Sequence, residues 1–203
     1  MTKLVCATLL GVTCAAAQDH AVYEDSRVRI LEVKAGPPHR HATDYVWIAD
    51  SVIHFSRGDT NRAERAGELV IELLQRQTQA KNVCGEVLAG EYLHCHEPGA
   101  EWLGVNLQIQ FETDQTHIGI LQIAPNATLA IPPADIPPLL IALEGTEAEA
   151  VTRANGAPAA SGVRRPFTAA NVLRSPADQI TEIRNTGKAV ARLLVVEFGG
   201  AGE

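Results

Sequence analysis

The chain has 203 residues, a formal net charge of −7 at neutral pH and 46% hydrophobic residues. A chain of this length buries about 70% of its unfolded surface, which is enough for one large core or two small ones. The acidic balance and the lack of a basic cluster argue against nucleic acid or an anionic membrane surface as a partner.

Residues 1–17 have the features of a secretory signal peptide. Lys3 precedes an apolar stretch over residues 4–12, and the segment ends in three small residues, 15–17. The stretch is too short to span a bilayer, so no membrane span is expected. Cleavage after Ala17 would leave 186 residues with a charge of −8, in the periplasm or outside the cell. A short N-terminal core helix and lipidation at Cys14 are the alternatives.

The most informative motif lies within residues 28–46. An alternating strand runs into the turn Gly36-Pro37-Pro38 and then into a second strand that carries His39 and His41. Residues i and i+2 of a strand point to the same face, so both imidazoles can reach one point. Two neutral imidazoles are good ligands for a first-row divalent metal, and this spacing therefore suggests a metal site. Two surface histidines near a turn are the alternative.

A weak internal repeat organises the rest of the chain. Residues 29–36 resemble residues 119–126, and residues 57–60 with 68–74 resemble residues 184–188 with 192–198. Each half opens with a period-2 strand and closes with a short apolar strand after a turn. Helical patterning is confined to residues 61–74. Gly67 and the Val-Ile content argue against a helix in the second part of this segment. The pattern predicts an all-β double barrel or sandwich that arose by duplication.

The two cysteines outside the leader are Cys84 and Cys95, with glycines between them. In an oxidising compartment such a pair is expected to form one disulfide, and two free thiols are the alternative. His94 and His96 flank Cys95, and a disulfide there would make them loop residues rather than ligands of a soft metal site.

The chain resembles a secreted tandem cupin. The resemblance lies in residues 36–46 (Gly-Pro-Pro-His-Arg-His-Ala-Thr-Asp-Tyr-Val), residues 139–146 and residues 183–188, with a connector at residues 82–88 and 110–116. It covers most of residues 22–199 and depends on the order of the motifs. It implies a double-stranded β-helix (jelly roll) in two tandem barrels, with the first one shortened. The expected organisation is a signal peptide at 1–17, a first half at 18–80, a connector at 81–116, a second cupin domain at 117–199 and a tail at 200–203.

Cupins often hold a divalent metal with His-x-His, an acidic residue or Gln, and a later His. The resemblance places His39 and His41 at the first two ligand positions, Asp44 slightly before the acidic position, and His54 at the last one. Only 12 residues separate His41 from His54, so either the first barrel is truncated or His54 is an ordinary strand residue. Residues 131–138, where a second His-x-His would stand, contain no histidine, which implies a second half without a metal.

Two functions follow as hypotheses. The first is a periplasmic or secreted protein that binds a divalent metal (Zn, Mn, Fe or Ni) through these residues and a small molecule in the barrel. The second is a metal-free tandem cupin that serves as a ligand-binding or interaction module. Neither assigns an enzyme class, and a homo-oligomer is compatible with both. Strand carboxylates such as Glu32, Glu72, Glu144 and Glu197 are interpreted mostly as solvated, outward-facing groups.

Overall fold

A computed structural model describes residues 20–34, 39–49, 52–59, 61–63, 65–75, 81–82, 107–113 and 115–199. Within these ranges the secondary structure is β, apart from one 3-10 turn at Ala159–Ser161. The all-β prediction is therefore confirmed. Residues 61–74, which had some helical character in the sequence, form two strands joined by a glycine turn.

The described strands follow one another along the chain as β1 His20–Glu24, β2 Val28–Glu32, β3 His39–Arg40, β4 Tyr45–Ala49, β5 Val52–Ser56, β6 Asn61–Arg62, β7 Leu69–Leu73, β8 Lys81–Asn82, β9 Leu107–Glu112, β10 Thr116–Ile123, β11 Thr128–Ile131, β12 Leu139–Ala142, β13 Glu147–Ala154, β14 Val163–Thr168, β15 Val172–Arg174, β16 Gln179–Asn185 and β17 Ala191–Phe198.

Strands β10 to β17 form a jelly roll. One sheet contains the order β15-β12-β17-β10, extended by β9 and β8, and the other has the order β11-β16-β13-β14. Eight antiparallel strands in two such sheets are two Greek keys, which is the jelly-roll arrangement. Apolar side chains from both sheets, including Leu121, Ile183 and Leu193, fill the space between them.

The first half repeats part of this order. Its five-stranded sheet, β1-β2-β7-β4-β5, contains the series β2-β7-β4-β5, which corresponds to β10-β17-β12-β15. The two-stranded sheet β3-β6 corresponds to β11-β16. Among the described residues of the first half, no strands correspond to β13 and β14. The division into two tandem barrels stays a prediction.

Three sheets are stacked as layers. The first sheet packs against the outer face of the jelly-roll sheet that contains β10, β12 and β17, and a shared core joins them through residues such as Ile30, Ile71, Ile141 and Leu194. The middle sheet is therefore buried on both faces, which explains the continuous apolar run of β17.

Strand β7 divides its side chains between the two faces of the first sheet. Leu69, Ile71 and Leu73 enter the core shared with the jelly roll. Val70 points the other way and packs with Tyr45 in a small separate cluster. Because side chains alternate along a strand, Glu72 shares the face of Val70. We call this second face of the first sheet, which carries Tyr45, Val70 and Glu72, the open face, because it is turned away from the jelly roll.

Several predictions fall outside the described residues. These are the signal peptide at residues 1–17, the disulfide between Cys84 and Cys95, the histidines beside Cys95, and the tail at residues 200–203. In the described part of the chain, no helix has the length and apolar character that a bilayer crossing needs.

Candidate functional site

The predicted ligands lie on or beside the open face. His39 belongs to β3, where it pairs with Arg62 of β6, and its side chain lies outside the described part. His41 follows β3 directly, and its side chain is only 3% exposed. Its carbonyl oxygen accepts a hydrogen bond of 2.9 Å from the backbone N–H of Asp59, which fixes the loop that carries the ring.

A chain of charged groups begins at His41. Its Nδ1 lies 2.9 Å from Oε1 of Glu72, and Oε2 of Glu72 lies 3.1 Å from a guanidinium nitrogen of Arg29. Arg29 also pairs with the exposed Glu24 at 2.8 Å. The hydrogen bond from His41, aided by the positive charge of Arg29, holds the pKa of Glu72 below its usual value, although burial opposes this.

The Glu72 carboxylate also determines the tautomer of His41. A carboxylate with a lowered pKa is an acceptor only, so Nδ1 of His41 carries the hydrogen that it shares with Glu72. In the neutral ring the lone pair then lies on Nε2. This carboxylate–imidazole pair orients the ring in the way that a metal ligand or a proton acceptor needs.

Tyr45 is the next group along the open face. Its ring lies 4.2 Å from that of His41, centroid to centroid, at an angle of 43°. The residue is fully buried, at 0% exposure. Among the described residues, its hydroxyl has no hydrogen-bond partner. A buried hydroxyl without a partner is uncommon in folded proteins.

Trp47 stands two residues further on the same strand and face. The His54 ring stacks on it with the centroids 4.0 Å apart and the planes at 14°. The guanidinium carbon of Arg62 lies 3.5 Å from the Trp47 ring centroid, and Arg62 pairs with the buried Glu68 at 2.6 Å. The indole N–H of Trp47 is a second buried donor without a partner in the described part.

Asp44 anchors the loop that follows β5. Its Oδ2 lies 2.6 Å from Arg57, and its Oδ1 accepts a bond of 3.0 Å from the backbone N–H of Gly58. Its backbone carbonyl accepts from the N–H of Leu73 at 2.8 Å. Both carboxylate oxygens therefore hold the loop after β5 against the start of β4.

The described side chains do not bring the predicted ligands together as a ready metal centre. In the part of the chain that the structure describes, no three His, Cys, Asp or Glu residues are grouped to hold a metal ion. Asp44 is engaged by Arg57, and His54 is stacked on Trp47. Because the His39 side chain is outside the described part, the set of His39, His41, Asp44 and His54 stays a prediction.

The sequence interpretation missed three groups at this face. Glu72, taken as solvated, is buried at 7% exposure, so that interpretation is wrong for this residue. A single carboxylate inside the apolar run of β7 was a signal, because such a charge needs a buried partner. Tyr45 and Trp47 are aromatic residues at i and i+2 beside the histidine pair, and this spacing places them on the same face as each other.

No protein-family model matches the chain, and no curated protein matches it. Among solved structures, it is similar to a Drosophila melanogaster CENP-C cupin domain, with 14% identity over 47% of this chain and 77% of that one and a TM-score of 0.35. The similarity to D. melanogaster CENP-C bound to CAL1 covers 40% of this chain and spans 60% of that one, with 17% identity and a TM-score of 0.35.

AerE from Microcystis aeruginosa is similar over 90% of this chain and 97% of that one, with 7% identity and a TM-score of 0.47. TM-scores this low carry no argument, so the fold assignment depends on the strand order. The described chain has a cupin-like jelly-roll fold. Fold by itself does not assign function.

Proposed function

We propose that this cupin-like protein binds a small molecule at the open face of its first sheet, without catalysis. The observation that carries the proposal is the buried Tyr45 hydroxyl, which has no hydrogen-bond partner among the described residues. Such a group costs about 1–3 kcal/mol of folding free energy. The hydroxyl is closed off from solvent, so a ligand acceptor atom would reach it only after the groups that cover it move aside, and in the bound state it would then remove that cost.

The neighbouring groups define the class of ligand. Tyr45 and Trp47 each offer a buried donor, so the ligand would carry acceptor atoms such as a carbonyl oxygen. His54 and Arg62 cover the Trp47 ring, so the outer face of the stacked His54 ring is the aromatic surface that would favour a flat, apolar body. The expected ligand is therefore a small planar molecule with a carbonyl group.

The contacts of Asp44 and His54 support a binding role that needs no metal. Asp44 uses both carboxylate oxygens within the protein, and His54 uses its ring face on Trp47. In this proposal both residues are structural supports of the open face.

Benzamide is a suitable probe, because it is flat and apolar and carries one carbonyl acceptor. Isothermal titration of the full chain with benzamide should detect binding, and Tyr45→Phe should weaken it about tenfold through the loss of one hydrogen bond. Tyr23→Phe is the matched control, since the Tyr23 hydroxyl bonds to Asp25 away from this face. An absence of binding at millimolar benzamide, or equal weakening by both substitutions, would contradict the proposal.

A divalent metal bound through His39 and His41 is the second candidate. It is favoured by the Glu72–His41 hydrogen bond, because metal-ligating histidines usually donate their other nitrogen to a carboxylate or carbonyl. A bound metal would supply Lewis-acid or redox chemistry at that point. Elemental analysis of protein purified without a His-tag tests this candidate. Metal near one atom per chain, lost on His39→Ala plus His41→Ala, would support it, and metal content unchanged by both substitutions would exclude it.

We also propose that the protein is exported, on the basis of residues 1–17. Intact-mass analysis of protein from a periplasmic fraction should give a chain that begins at Gln18. Alkylation before and after reduction should then show that Cys84 and Cys95 are paired. A mature chain that retains Met1 would argue against export.

A further inference from the structure

A cleft of about 390 Å³ opens between the first sheet and the jelly roll. It is lined by the end of β4, the turn before β7, the turn after β12 and the beginning of β17. Its volume falls within the range of small-molecule sites. The cleft is separate from the open face, because its residues from β4 and β7 lie on the face that packs against the jelly roll.

The floor of the cleft is apolar. Ile48 of β4 pairs with Leu69 of β7 across the first sheet, and Leu143 faces them from the jelly roll. Leu69 and Leu143 belong to the core that joins the two halves, and Ile48 packs against it. The cleft is thus the point at which this core opens toward solvent, and it favours an apolar ligand body.

Two glycine turns leave room above the floor. Gly67 has a φ of +83° and Gly145 a φ of +77°, so both occupy the left-handed region that glycine adopts without strain. A Cβ atom placed on either glycine would meet no other heavy atom within 4 Å. The two turns therefore border open space.

Charges of both signs line the same cleft. Arg192 is fixed through its backbone, which accepts from the Leu143 N–H at 3.0 Å and donates to Thr146 Oγ1 at 3.1 Å. Glu144 is the second residue of a turn in which the Thr146 N–H donates a hydrogen bond of 3.1 Å to the Leu143 carbonyl oxygen. In the part of the chain that the structure describes, neither charged side chain has an ion-pair partner.

We propose that this cleft binds an apolar α-amino acid as a zwitterion. The Arg192 guanidinium receives the carboxylate, for which its planar donor pair is suited. The Glu144 carboxylate receives the ammonium group. The amino-acid side chain lies on Ile48, Leu69 and Leu143.

Isothermal titration of the full chain with leucine tests the assignment. Leucine should bind, and Arg192→Met should weaken binding by about tenfold or more, because one charge-assisted contact is lost. Arg184→Met on the far sheet of the jelly roll is the matched control, since Arg184 is an arginine that does not line the cleft. It should leave the affinity unchanged.

Two altered ligands separate the roles of the charges. N-acetyl-leucine lacks the ammonium group, so Glu144→Gln should weaken leucine binding but not N-acetyl-leucine binding. Leucinamide lacks the carboxylate, so its binding should be insensitive to Arg192→Met.

An absence of leucine binding at millimolar concentration, or equal loss with Arg192→Met and Arg184→Met, would overturn the proposal. Tyr45→Phe should not affect leucine and Arg192→Met should not affect benzamide, so the two proposed sites succeed or fail separately.

Discussion

Asp25 and Arg174 form an ion pair of 2.8 Å that joins the first sheet to the jelly roll. Asp25 lies in the turn between β1 and β2, and Arg174 ends β15. The same carboxylate accepts bonds of 2.8 and 3.0 Å from the N–H groups of Arg27 and Val28. Burial opposes the charged form, but these two backbone bonds, the Tyr23 hydroxyl and the charge of Arg174 together lower the pKa of Asp25. The Asp25 carboxylate is thus oriented by its own turn for its contact with Arg174.

The first prediction concerns this contact between the halves. A double-mutant cycle of Asp25→Asn and Arg174→Met should give a coupling energy of about 0.5–1 kcal/mol, because the pair is partly exposed. Urea unfolding of the four proteins measures it. The pair Arg164–Glu149, which is more exposed and lies within one sheet, is the control and should couple more weakly. A coupling energy of zero for Asp25 and Arg174 would contradict the prediction.

The second prediction concerns Glu72 and pH. Its pKa in the folded state is lowered, so the stability that it contributes is present above the unfolded-state pKa and is lost as pH falls through the lower folded value. Glu72→Gln should therefore reduce the free energy of unfolding by about 1–3 kcal/mol near pH 7, because the partner groups are left in a buried site.

Urea unfolding from pH 7 down to pH 3 checks the sign. The difference between wild type and Glu72→Gln should shrink as pH falls below 4.5, the ordinary pKa of a glutamate. Glu24→Gln is the matched control, since Glu24 contacts the same Arg29 from an exposed position, and it should have a much smaller effect. A difference that grows toward acid pH would show that the assigned direction is wrong.

The third prediction concerns the stability of the open face. Tyr45→Phe removes a buried hydroxyl without a partner in the described part, so the protein should be as stable as wild type or up to about 1 kcal/mol more stable. Thermal and urea unfolding without ligand measure this. Tyr23→Phe should instead destabilise, because it removes a hydroxyl that bonds to Asp25. A clear loss of stability in Tyr45→Phe would mean that its hydroxyl has a partner in solution.

The fourth prediction concerns a buried amide in the jelly roll. Asn185 is fully buried, donates bonds of 2.8 Å to the carbonyls of Ile123 and Ala189, and accepts one from the Gly187 N–H at 2.9 Å. Asn185→Ala should cost about 2–4 kcal/mol, because it leaves these backbone groups unsatisfied. Asn171→Ala is an exposed control with a smaller expected loss. Urea unfolding at one pH compares the two variants.

The sequence repeat predicts much of the topology. The first member of the repeat forms β2 and β10, and the second forms β7 and β17. In the structure β2 lies beside β7, and β10 lies beside β17. Equal patterns in the two halves thus led to equal positions in the sheets, because period-2 burial and turn placement determine which strands can pair.

The side-chain contacts were less accessible to sequence reasoning. Spacing put His41 on a strand-like segment, but the partner at 2.9 Å, Glu72, is 31 residues away and lies on another strand. Asp44 entered the predicted ligand set through the resemblance to cupins, although it stands slightly before their acidic position. Its contact with Arg57 depends on how the loop after β5 folds back, which local pattern does not specify.

The sheet that contains β17 is the middle one of three layers, and this position limits the local unfolding of its strands. Leu193 and Val195 face the interior of the jelly roll, whereas Leu194 and Val196 face the first sheet, so this strand is covered from both sides. Amide hydrogens of β17 and β10 can then reach solvent deuterium only when two separate hydrophobic layers part. Their exchange rates would report the free energy of global unfolding, while those of the edge strand β14 would report local fraying.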